Sequence, residues 1–308
     1  MTAPSGDQFE ITGGGYRAVV TECGATLRVL EHEGVAVLHG FAEDAMSSAG
    51  RGQLLMPWPN RIRDGRYSFD GEDLQLGLTE PSRLNASHGL VRWAAWALEE
   101  HGESSVSLSY RLMAQSGYPW TIDLHVLYDL SADGLTVTQT ATNLAGRPAP
   151  YASGAHPYLT PGEGGPVDGW ELTVPASTRL LSDDRQIPTG EEDVTGTAYD
   201  FRVSRPIGDT VLDHAFGDLE RDAQGYAEAA LRDPATGRGV ALWVDRHHPW
   251  LMVFSADDGW DPPRQALAVE PMTAPPDAFR SGRDLVTLAP AGEAGDELSV
   301  SWGIRTLE

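Results

Sequence analysis

Alternation of apolar and polar residues over strand-length stretches, repeated along most of the chain, is the feature that most limits its fold. Val106 to Leu112, Thr121 to Tyr128 and Leu135 to Ala141 all alternate with period two. Each such stretch turns one face to a core and the other to solvent. Val240 to Val244 and Leu251 to Ser255 repeat the theme on either side of a polar segment holding His247 and His248. Tyr16 to His39 reads as valine-rich pieces of strand length, interrupted at Gly24 and at Glu33-Gly34. Tyr67-Ser68-Phe69, Asp70-Gly71 and Leu74-Gln75-Leu76 carry the turn dipeptide and flanking alternation of a hairpin, and a second turn is expected at Asp133-Gly134. Helical periodicity is scarce, and the best helix start, Phe41 to Ala45, is too short to organise a layer. With 34 glycines and 21 prolines punctuating the chain, the pattern predicts an all-β protein, a large antiparallel β-sandwich. The richest loops, Thr160 to Gly169 and Ser182 to Thr197, are too short to separate domains, so residues 1–308 are expected to form a single domain.

Composition removes several chemistries. All 22 basic residues are arginine, which excludes Schiff-base catalysis, a pyridoxal phosphate linkage and the usual P-loop. The net charge of -23 argues against nucleic acid or an anionic membrane surface as a partner, since both require a concentrated basic face. The single cysteine, Cys23, can form neither an internal disulfide nor a cysteine-based zinc cluster, and a reducing, cytoplasmic location fits. Met1 to Glu10 carries no signal-like apolar run and no stretch elsewhere is long enough to cross a bilayer. Nothing in the pattern fixes an oligomeric state.

Four polar clusters beside turns are candidates for a site. Pro57-Trp58-Pro59-Asn60-Arg61 fixes the backbone just before a planar, five-donor guanidinium, although a surface salt bridge would look the same. Asn85 to Trp93 sets His88 next to Gly89, where a ligand can approach the backbone closely, and just before Arg92. Ala155-His156-Pro157-Tyr158 holds a histidine extended before proline. Leu267-Ala268-Val269 reads as a buried strand ending in Glu270, and partial desolvation there would raise the carboxyl's pKa and make it a better base. A solvated strand-end glutamate has the same sequence. Asp213 in Val211 to His214 carries a weaker signal. No Gly-x-Ser-x-Gly elbow, His-Glu-x-x-His helix or Gly-x-Gly-x-x-Gly turn is present. His247 and His248 are adjacent and on a strand would face opposite sides, so no metal is expected.

Taken together, the clusters resemble a known family. Asn60-Arg61, Arg63, Gly65-Arg66-Tyr67 and Asp70-Gly71, followed in order by His88-Gly89, His156-Pro157-Tyr158, Ile187 to Glu191, Asp200-Phe201-Arg202, Leu212-Asp213-His214 and Glu270 to Thr273, resemble the aldose 1-epimerase (galactose mutarotase) family over roughly Tyr16 to Trp302. The resemblance implies a galactose mutarotase-like supersandwich, a small-molecule sugar substrate, no cofactor, and interconversion of the α and β anomers of a free aldohexose. It implies Glu270 as catalytic base and His156 as catalytic acid, with Asn60, Arg61, His88, Asp213 and Tyr158 on the sugar. The His88-Gly89-Leu90-Val91-Arg92 motif is similar to that of a bacterial subgroup of the family that includes mutarotases for sulfonated sugars, and to the His-Gly-x-x-Arg of sugar 6-phosphate epimerases. On that basis Arg92 is a candidate receptor for an anion at C6; pairing with a nearby carboxylate is the alternative. A non-catalytic carbohydrate-binding protein and a glycoside hydrolase are competing readings, the latter needing a second facing carboxylate.

Overall fold

The computed structural model describes residues 2–162, 164–257 and 262–307. Two antiparallel sheets carry the architecture. The larger has nine strands, and its centre is the run Gly239–Val244, Glu297–Leu307, Gly134–Asn143, Ile122–Ser131 and Ser105–Leu112. The smaller has six, in the order Tyr158–Leu159, Leu267–Met272, Trp250–Phe254, Asp213–Leu219, Ala176–Ser182 and Pro188–Asp193. The main hydrophobic cluster takes Leu124, Val126, Val137, Leu242 and Trp302 from the first sheet and Leu251, Val253, Leu267 and Val269 from the second. The expected β-sandwich is what forms. A four-stranded meander from Gln8 to Ala36 adds Ile11, Val20, Leu27 and Leu30 to the same core.

Period-two burial explains the longest strands. Ile122–Ser131 alternates buried and less buried positions almost without exception and pairs with Gly134–Asn143 over ten residues. The turn between them is Ala132-Asp133, because Ser131 already pairs with Gly134; the turn lies one residue earlier than Asp133-Gly134. The Arg66–Phe69 and Glu72–Gln75 hairpin forms as expected, with Asp70 and Gly71 both at positive φ.

Three local readings are corrected. Phe41 to Ala45 forms turns, while the α-helix among the described residues is the four-residue Ala278–Ser281. The supposed loop Ser182 to Thr197 contains an edge strand, Pro188–Asp193, whose acidic sequence hides it because an edge strand need bury little. In the other loop, Glu163 lies outside the described residues. His247 and His248 sit in a turn after Val244, where the peptide direction reverses. Both rings therefore reach the same carboxylate, His248 Nδ1 at 2.8 Å and His247 Nδ1 at 3.3 Å from Asp245. Among the described residues, no helix is long and apolar enough to cross a membrane.

The strand alternation also decides which face of the six-stranded sheet can hold chemistry. Leu267, Val269, Leu251 and Val253 fill the main core. The alternate positions Glu270, Met272, Trp250 and Met252 must point the other way, as must Ala215 and Asp213, through the register Glu270↔Met252 and Ala215↔Met252. That second face carries its own apolar cluster of Leu180, Ala215, Trp250, Met252 and Met272. Glu270 is embedded in it.

Candidate active site

Glu270 lies inside its strand rather than at the end. Pro271 continues the ladder opposite Leu251, and its carbonyl accepts from the Ala155 N–H at 3.2 Å. Through this contact the segment bearing His156 is tied to the strand bearing Glu270. His156 is held by its own backbone as well: its N–H donates to the Gln53 carbonyl at 3.0 Å and its carbonyl accepts from Gly52 at 2.9 Å. The result places His156 Nε2 3.4 Å from Glu270 Oε1, with both side chains more than nine-tenths buried.

The short ladder Arg61–Arg63 against Asn85–Ser87 delivers two more residues. Ile62 and Ala86 face the core, so Arg61 and Ser87, directly opposite each other, face away from it. At the ends of this ladder Asn60 and His88 both adopt left-handed φ, 53° and 59°, and the His88 N–H donates to the Asn60 carbonyl at 2.8 Å. A kinked backbone of this kind persists only where surrounding structure holds it. Gly89 is part of that structure, since a Cβ there would stand 2.0 Å from the Met56 carbonyl oxygen. The kink brings the His88 ring edge-to-face with His156, centroids 5.4 Å apart.

Tyr158 stacks on His156, at 4.9 Å between centroids and 24° between planes. Its hydroxyl donates to the Ala49 carbonyl at 3.0 Å. Gly50 covers the ring, and an added Cβ there would approach His156 Cδ2 to 2.7 Å. The His156 ring is thus boxed by His88, Tyr158 and the 49–52 backbone.

Arg61 donates through Nε and Nη2 to the two carboxylate oxygens of Glu80, at 2.8 and 3.1 Å, and through Nη1 to Asn60 Oδ1 at 3.4 Å. Arg92 stands differently. Its carbonyl accepts from Gln53 at 3.1 Å, but among the described residues its guanidinium makes no ion pair. The candidate residues therefore converge: Glu270 from the six-stranded sheet, Asp213 from the same face, His156 from the segment bonded to it, and Asn60, Arg61, His88 and Arg92 from the short ladder and the loop after it. Glu80, which orients Arg61, was not singled out from sequence, because an acidic residue between Thr79 and Pro81 carries no signal by itself.

The electrostatics follow from burial and from this crowding. Desolvation, then repulsion by Asp213, pushes the Glu270 carboxyl well above its usual range, opposed by Arg61. Desolvation and the positive charges of Arg92 and Arg61 pull His156 down to about 3. His88 is lowered well below its usual value by desolvation, then by Arg92, His156 and Arg61. Arg92 itself is lowered by burial. Glu270 Oε2 and the Nδ1 atoms of His88 and His156 are buried without a hydrogen-bond partner among the described residues. Such groups cost stability in a closed protein.

A family model described as Aldose 1-epimerase matches residues 7–301 of this chain. The chain belongs to the aldose 1-epimerase family. It is 35% identical to the uncharacterised protein YihR of Escherichia coli over 92% of this chain and 89% of the relative. It is 28% identical to human galactose mutarotase over 78% and 76% of the respective chains. Among solved structures, a GalM/aldose epimerase homologue from C. elegans superposes with a TM-score of 0.84 at 21% identity, covering 98% of this chain and 99% of that one. This likeness establishes the galactose mutarotase-like fold.

The buried histidines make stability depend on pH. In the unfolded chain each ring takes up a proton near pH 6.5, whereas the folded values are far lower, about 3 for His156 and about 4 for His214. A depressed folded value means that the stability is fully present above about pH 6.5 and is lost as pH falls toward the folded values. Glu270 and Asp277 act in the opposite sense, because their folded values lie above the unfolded ones, but His39, His88 and His248 are lowered as well, and the histidines outnumber these carboxyls. The thermal midpoint is expected to fall steadily from pH 6.5 to 4.5, by about 1.4 kcal/mol of stability per pH unit for each net proton taken up on unfolding. Denaturation scans across that range check this; a flat or rising midpoint would mean that the rings are already charged in the fold.

Proposed function

We propose that this protein is a mutarotase that interconverts the α and β anomers of a free aldohexose, with Glu270 as base and His156 as acid. The observation that carries the reading is the buried 3.4 Å approach of His156 Nε2 to Glu270 Oε1, flanked by polar atoms of Glu270, His156 and His88 that have no hydrogen-bond partner among the described residues. The reaction needs one proton acceptor at O1 and one donor at O5, two oxygens that share C1. Glu270 takes the O1 proton as His156 gives one to O5; the C1–O5 bond breaks and C1=O1 forms. Rotation about C1–C2 presents the other aldehyde face. Closure returns the O5 proton to His156 and the Glu270 proton to O1, so each cycle restores both groups.

The proton inventory fits the electrostatics. Ionised Glu270 with protonated His156, and neutral Glu270 with neutral His156, hold the same single proton. The first arrangement starts ring opening and the second accompanies the open-chain sugar. Burial favours the neutral one, as the raised Glu270 and lowered His156 indicate. The site therefore relieves a buried ion pair as the ring opens, which lowers the cost of the open-chain state. Arg61 with Asn60, His88 and Asp213 would hold hydroxyl groups while C1 turns.

A second reading concerns the substrate. Arg92 lies close enough to depress both His88 and His156 and has no acidic side chain paired to it among the described residues. A desolvated guanidinium without a carboxylate suits an anionic substituent, so a hexose bearing phosphate or sulfonate at C6 is the favoured alternative to a neutral sugar. The test of the activity is polarimetry or proton NMR of freshly dissolved α-glucose, α-galactose, glucose 6-phosphate and a 6-sulfonated hexose. Acceleration of anomer exchange for at least one of them is expected; exchange at the buffer rate for all, with binding retained, would leave a carbohydrate-binding protein instead.

A further inference from the structure

Glu80 stands outside the set of side chains that meet the sugar in the proposed reaction, yet its contacts converge on Arg61. Its two carboxylate oxygens accept from Arg61 Nε and Nη2 at 2.8 and 3.1 Å, a bidentate geometry that fixes the guanidinium plane. The same carboxylate accepts from Asn85 Nδ2 at 3.1 Å and Arg83 Nη1 at 3.1 Å. Its backbone exchanges both peptide hydrogen bonds with Asn85, the N–H of Glu80 donating at 3.0 Å and that of Asn85 at 3.1 Å.

Asn85 in turn donates to the Arg185 carbonyl at 2.9 Å. Arg185 donates back to the Arg83 and Leu84 carbonyls and to Asp64, all at 2.8 Å. Arg63 and Asp183 form an ion pair across the same junction. An unbroken chain of hydrogen bonds thus runs from the turn after the six-stranded sheet's strand Ala176–Ser182, through Asn85 and Glu80, to the Arg61 guanidinium. Among the described residues, no other carboxylate is paired with Arg61. Burial pushes the Glu80 carboxyl up, but the hydrogen bonds and charge of Arg61 outweigh it, and the group stays ionised below its usual range.

We infer that Glu80 is a positioning residue of the active site: it orients the Arg61 guanidinium and offsets its charge beside the Glu270–His156 pair. This rests on the mutarotase reading above. Orientation sets how well Arg61 can grip a hydroxyl. Charge compensation sets how strongly Arg61 disfavours a proton on either member of the pair. The groups facing that pair are Asp213 from the strand Asp213–Leu219, two strands away from that of Glu270 in the same sheet, Arg61 from the short ladder, and His88 and Arg92 from the loop after it. Of these, Arg61 is the one tied to Glu80.

The test is Glu80→Gln in the full-length enzyme, assayed for exchange of freshly dissolved α-galactose and α-glucose, and of whichever anionic sugar the wild type accepts. Expected are a kcat/KM at least 10-fold lower, carried mainly by KM, and an alkaline limb of the pH–rate profile moved to lower pH by about half a unit or more. In an Arg61→Ala background, Glu80→Gln should add less than about 2-fold, because the two act as one unit. If Glu80→Gln folds poorly, Glu80→Asp, which keeps the charge but withdraws it by one methylene, should raise KM and leave the alkaline limb in place. A Glu80→Gln enzyme with unchanged KM and an unchanged alkaline limb overturns the inference, as does an equal loss in the Arg61→Ala background. Wild-type enzyme without exchange activity on any sugar removes the mutarotase reading and this inference with it. Wild-type activity with an indifferent Glu80→Gln removes the inference alone.

Discussion

Glu270→Gln should lower kcat for anomer exchange by about 10³-fold, within the range that a positioned acid or base contributes, while leaving the fold intact. The substitution is close to isosteric. It removes the carboxylate proposed to accept the O1 proton and retains an amide able to fill the same buried position. Because burial already holds the Glu270 carboxyl well above its usual range, exchanging it for a neutral amide should not destabilise the protein, and the thermal midpoint at pH 7 is expected to hold or rise. This separates chemistry from folding: a dead enzyme with an undiminished midpoint identifies the base. Polarimetry on freshly dissolved α-galactose and α-glucose reads the rate. A variant retaining more than about one-tenth of wild-type kcat would mean that the O1 proton leaves by another route, with Asp213 on the same sheet face the next carboxylate to replace.

Arg92→Ala divides the two substrate readings. If an anion at C6 is part of the substrate, the loss of a charged, desolvated hydrogen-bonding partner is worth about 1.5–3 kcal/mol, or about 10- to 150-fold in kcat/KM on the anionic sugar. The neutral hexose should change by less than about 3-fold. Removing the guanidinium also relieves the two histidines, both of which it depresses, so the acid limb of the pH–rate profile should move to higher pH with either sugar. Comparison of glucose with glucose 6-phosphate and a 6-sulfonated hexose, at matched ionic strength because surface electrostatics are screened by salt, makes the distinction. An equal loss on charged and neutral sugars would assign Arg92 to tuning the histidines rather than to recognising an anion.

These experiments share a structural basis. The side chains of the pair sit on segments more than 100 residues apart, joined by the Ala155–Pro271 hydrogen bond, and the His156 ring is boxed by Tyr158, His88 and Gly50. Tyr158, expected to touch the sugar, has its hydroxyl on the Ala49 carbonyl and its ring against His156.

The sequence by itself determined the fold class, because alternation of period two in segments such as Ile122–Ser131 and Gly134–Asn143 can bury apolar surface only as sheet. It also marked Leu267 to Val269 as a buried strand leading to Glu270, whereas the face that Glu270 occupies follows from Leu267 and Val269 packing in the main core. The family was legible too, since its residues recur in order along the chain. Tertiary structure alone decided the rest. The edge strand Pro188–Asp193 is stabilised by pairing with Ala176–Ser182 and not by burial, so its composition gave no hint of it. His247 and His248 point to one carboxylate because a turn, rather than a strand, sets their directions. Arg61 finds Glu80, while Arg92 finds no acid among the described residues, through contacts between segments whose partners local pattern does not specify. Alternation acts between neighbours along a strand and is written in the residues themselves. The charge balance of a buried site depends on which distant segments meet there, and only the packed chain fixes that.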